Sequence, residues 1–118
     1  MNRQELMLKF CIDAPEPTKA DADAYFKAEQ EIAKVNMAMD RLKPNDKRAK
    51  GFLEKAKKLY MDFAKNSMKI KAMVDKGMLG RFENDYNRIK RRWDGQYSFI
   101  ARCCSAAMRG KDPQDVGL

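Results

Sequence analysis

The sequence predicts an all-α protein: three long antiparallel helices with coiled-coil-like seams, plus a short N-terminal helix on a proline hinge. Three observations predict it. Between residues 25 and 42, and again from 49 to 73, apolar side chains recur three and four apart, which is the helical period. The four prolines and all glycines but Gly51 fall outside these stretches. The 118 residues are 44% hydrophobic and 36% charged, which suits one ordered helical domain.

Residues 2–12 form the first expected helix. Asn2 can cap it, and Leu6, Met7, Phe10 and Cys11 share one side. Pro15 and Pro17 make residues 13–17 an extended linker, because the residue before a proline is biased out of the helical region. The N-terminal piece is therefore hinged. It either docks on the bundle or acts as an arm that finds its groove on another chain.

Thr18 opens the helix expected over residues 18–42, with Asp21 in the N3 place of a capping box. Tyr25, Ala28, Ile32, Val35, Met39 and Leu42 form its seam. Pro44 ends it, and Asn45 or Asp46 can cap the next helix, expected over residues 45–76. That helix turns Ala49, Phe52, Ala56, Leu59, Phe63, Ile70 and Met73 inward. Lys47, Lys58, Lys65, Lys69 and Lys76 lie on its opposite side, and Asn66 interrupts the seam. Gly77 and Gly80 turn the chain back.

The last helix is expected over residues 81–109. Phe82, Tyr86, Ile89 and Trp93 line one face, and Tyr97, Ile100, Cys104 and Ala107 continue within about 60° of the same phase. A loop at Asp94-Gly95 has no reason to preserve that register, so the helix should run through it. Gly110 and Pro113 then stop it, leaving residues 110–118 as a frayed tail.

The same residues narrow the chemistry. The chain has no histidine, so it lacks Ser-His and Cys-His nucleophile pairs and the commonest neutral-pH base. Ser67, Ser98 and Ser105 lie in no nucleophile-elbow or phosphate-loop motif. Cys11, Cys103 and Cys104 show no zinc-ligand spacing and read as reduced, apolar-type thiols of a cytoplasmic protein. No apolar run approaches the ~20 residues of a membrane span. The expectation is a non-enzymatic protein with no cofactor, metal, membrane association or small-molecule substrate.

Two binding functions remain. The leading one is a protein-interaction module that binds a partner or a second copy of itself through helix faces. Its candidate contacts are Leu6, Met7 and Phe10 on the arm, with Met37, Met61 and Met68, which fall off the main seams. The alternative is sequence-independent nucleic-acid binding by Arg88, Lys90, Arg91, Arg92 and Arg102, with Arg109 beyond them. Net charge favours an anionic partner but is uneven. Residues 1–40 carry five Lys/Arg against eight Asp/Glu, −3, and the remainder twenty against nine, +11. Within the cluster, Trp93 belongs to the core stripe, and on the preceding helix Glu54 and Asp62 interrupt the lysine side.

Overall fold

The computed structural model describes residues 3–14, 16–78 and 80–115, leaving the expected Asn2 cap, Pro15 of the linker and the final tail residues outside the described set. Every regular element within it is helical. Helix α1 spans Arg3–Phe10, α2 Lys19–Ala38, α3 Ala49–Asp75 and α4 Glu83–Met108, with short 3-10 turns at Met39–Arg41, Gly80–Phe82 and Pro113–Asp115.

Local chemistry sets the ends. Cys11 closes α1 in the left-handed region, φ +49°, so that the Ile12 N–H donates to the Met7 carbonyl at 3.0 Å. Gly77 and Gly110 close α3 and α4 in the same way. At the start of α2 the expected capping box is complete. The Asp21 N–H donates to the Thr18 hydroxyl, and the Thr18 N–H donates to the Asp21 carboxylate at 2.8 Å.

The start of α3 corrects the sequence reading. Neither Asn45 nor Asp46 caps the helix, which begins four residues later than expected. Asn45 is itself left-handed, φ +60°, and its N–H donates to the Ala107 carbonyl at 2.8 Å. Asp46 accepts hydrogen bonds from the Lys43 and Arg48 backbone N–H groups and from the Arg48 guanidinium. The carboxylate thus folds the turn before the helix rather than the helix itself, and Arg48 holds it well below the usual carboxylate range.

Helix α4 runs unbroken through Asp94-Gly95, as its phase required. It makes its most extensive contact with α3. Tyr60 stacks on Tyr97 with centroids 4.6 Å apart, Phe63 stacks on Trp93 at 4.8 Å, and the Tyr86 hydroxyl donates to the Ser67 carbonyl at 3.5 Å. Each step up α3 is thus a step down α4. Helix α2 lies against both. Tyr25 accepts a 2.5 Å hydrogen bond from Trp93 Nε1, Glu31 pairs with Lys55 at 2.7 Å, and Met39 meets Cys104 with sulfurs 3.8 Å apart.

Helix α1 docks on α2 and α4 of its own chain. Met7, Leu8, Cys11 and Ile12 are buried, and the Phe10 ring meets Tyr25 edge-on at 5.8 Å. The core extends through Ile32, Ile70, Trp93 and Ile100 along a molecule 47 × 26 × 17 Å. Among the described residues no helix is long and apolar enough to cross a membrane.

Candidate functional site

The candidate contacts divide by burial. Met37, Met61 and Met68 are exposed, at 73%, 59% and 72%, so these large apolar side chains are displayed to solvent. The arm does not display its own set. Met7 is buried at 7%, which removes it as a contact for another molecule, and Leu6 and Phe10 are half-buried against the core. The expected face was displaced by about 100°, because Leu8 and Ile12 join Met7 and Cys11 inside.

Phe26 was not singled out by the sequence, yet it is 52% exposed. It stands one turn and two turns before Gln30 and Ala33 and three before Met37, so the four form one stripe of α2. Phe26, Gln30 and Ala33 border a cleft of about 240 Å³, with Arg92, Trp93 and Gln96 of α4 across it. Gln96 Oε1 is buried there with no hydrogen-bond partner. The signal was available as the i, i+4, i+7, i+11 spacing, but the stronger Tyr25–Leu42 seam on the same helix masked it.

The basic candidates do not form one cluster. Arg88 pairs with Asp85 at 3.1 Å, Lys90 with Asp94 at 2.9 Å, and Arg92 crosses to Glu29 of α2. Contiguous in sequence, these side chains fan around α4 at 100° per residue. Arg91 and Arg102 remain together, joined by Arg109. All three are exposed, and each Nε donates to the carbonyl four residues earlier, of Asn87, Ser98 and Ser105, at 3.4, 3.4 and 3.3 Å.

At the α3/α4 seam, Asp94 accepts from the Tyr60 hydroxyl at 2.5 Å and from Lys90. Burial opposes its charge, but these two hydrogen bonds outweigh it and hold the carboxyl below its ordinary value. The same bond pushes the Tyr60 hydroxyl up to about 12.

The cysteines are free and buried. Burial pushes the Cys11 thiol up to about 12 and Cys104 to about 11, the opposite of what a nucleophile needs. Among the described residues no three His, Cys, Asp or Glu side chains converge as metal ligands.

Fold and surface together define a helical bundle with a partly apolar α2/α4 cleft and an arginine ridge on α4. Comparison with protein-family models, curated proteins and solved structures finds no match for this chain.

Proposed function

We propose that the protein is a non-enzymatic interaction module that binds a partner protein, or a second copy of itself, through exposed helix faces. The observation that carries this reading is the α2 stripe of Phe26, Ala33 and Met37 beside the α2/α4 cleft. A partner helix laid along it would cover Phe26 and Met37 from solvent, and a donor on that helix would satisfy Gln96 Oε1. Met61 and Met68 offer a second contact on α3, seven residues apart on its solvent side, for an adaptable apolar partner surface. The buried, protonated thiols and the absence of histidine support the non-enzymatic part of the reading.

The test is association measured by light scattering and by photocrosslinking from position 37, with captured chains identified by mass spectrometry. A specific adduct, to this chain or to one partner, that disappears in Phe26→Ser is expected. An adduct insensitive to Phe26→Ser and Met37→Ser, with the variants still helical, removes the cleft as the contact.

A further inference from the structure

A cationic face is shared by α3 and α4, and it differs from both the cluster and the lysine stripe that the sequence suggests. The Tyr60–Asp94 hydrogen bond marks the seam between the two helices. Counting 100° per residue, Lys57 and Lys50 lie about 60° and 80° outward of Tyr60. On α4, Arg91, Arg109 and Arg102 lie about 60°, 60° and 80° outward of Asp94. All five are exposed, and none has an ion pair among the described residues. The helices run oppositely, so Lys50 and Lys57 fall at the levels of Ser105 and Ser98, between and beside the arginines. The result is a two-helix row of charges about 27 Å long, from eighteen residues at ~1.5 Å each.

The remaining side chains decide what this row fits. The outward positions of α4 between the arginines are Gly95, Ser98 and Ser105, small and uncharged. Asp94, at the edge, is already bonded to Tyr60 and Lys90. Glu54 flanks Lys50 and Lys57 on α3, on the side away from α4. Among the described residues, the rings at this seam are already engaged: Tyr60 and Tyr97 stack on each other, and Trp93 is buried against Phe63. Each guanidinium Nε donates to a carbonyl of its own helix.

We propose that this α3/α4 face binds the phosphate backbone of double-stranded nucleic acid without reading its sequence, through Lys50, Lys57, Arg91, Arg102 and Arg109. The site uses none of the α2 residues of the interaction module, and although Met61 lies one turn from Lys57 on the same side of α3, the Phe26 crosslinking and duplex-binding readouts let either assignment fail alone.

The test is fluorescence anisotropy of the full chain with a labelled ~20-base-pair DNA duplex of mixed sequence. Duplex RNA, single-stranded DNA and vesicles of anionic phospholipid serve as parallel arms. Five phosphate contacts predict a slope of log affinity against log salt of about −4 to −5 on B-DNA. Lys50→Ala/Lys57→Ala should flatten the slope by about 2, and each of Arg91→Ala, Arg102→Ala and Arg109→Ala by about 1. Lys58→Ala/Lys65→Ala, off this face, should leave it unchanged. Circular dichroism confirms that each variant is folded. Tighter binding to single strands, binding to vesicles but not to duplex, equal loss in Lys58→Ala/Lys65→Ala, or no duplex binding at low salt overturns the proposal.

Discussion

Gly110 occupies the left-handed region at φ +75°, and a Cβ there would sit 3.2 Å from Asn45 Oδ1. Gly110→Ala therefore incurs left-handed strain of roughly 1–2 kcal/mol. It also presses on Asn45, the residue that ties the turn before α3 to Ala107. Urea unfolding should show the loss as a lower midpoint at constant slope. Gly95 has the opposite character: it lies within α4, exposed, and a Cβ added there would meet nothing within 4 Å. Gly95→Ala should add roughly 0.5–1 kcal/mol of stability, read as a higher midpoint. Both glycines are visible in the sequence, and helical phase alone told them apart, since Gly95 falls inside a continuing stripe and Gly110 ends one. Phase also placed Trp93 in the core. It could not show that Trp93 Nε1 donates to Tyr25, 68 residues away, because periodicity fixes which side of a helix is inward but not its register against a neighbour.

At the scale of elements, the long helices were legible and the short one was not. Over 26 residues α4 repeats its apolar phase often enough to override Gly95. Helix α1 has only eight, with Leu6-Met7-Phe10 and Met7-Leu8-Cys11 as competing faces about 100° apart. The surface of α2 and α4 decides between them, and it selects Leu8, which is 1% exposed, over the half-buried Leu6. The same limit hid the α3/α4 cationic face, since Lys50 and Lys57 gain meaning only once α3 lies beside Arg91 and Arg102. Docking of α1 in cis makes a sharp prediction. Leu8→Ala should cost about 2–5 kcal/mol of global stability, as large-to-small changes in a packed core do. Leu6→Ala should cost much less. A detachable arm would instead leave the unfolding midpoint of Leu8→Ala at the wild-type value.

For the whole molecule, the acidic head and basic body meet within the fold: Glu29 pairs with Arg92, Glu31 with Lys55 and Asp13 with Lys69. These pairs are partly exposed and individually weak. The larger dependence on pH comes from buried neutral acids. Burial, with Glu29 adding to it, raises the Cys11 thiol from 9.0 to about 12, and burial raises Cys104 to about 11. Burial also raises the Tyr25 hydroxyl. Below about pH 7.5 both folded and unfolded chains keep these protons, and stability does not depend on them. As pH rises past 9 the unfolded chain releases its thiol protons while the folded chain holds them. The unfolded state then binds fewer protons, and stability falls by about 1.4 kcal/mol per pH unit for each fully retained thiol proton. The fall continues until the folded thiols titrate near pH 11–12. Between pH 9 and 10 the thiols dominate, because free lysine and tyrosine side chains titrate at about 10 and above. Urea midpoints should therefore be level near pH 7 and decline most clearly from 9 to 10, and Cys11→Ala should show a shallower decline from its own lower starting point. A midpoint that stays level to pH 10 would mean that the Cys11 and Cys104 thiols reach solvent without unfolding the core around Tyr25 and Trp93.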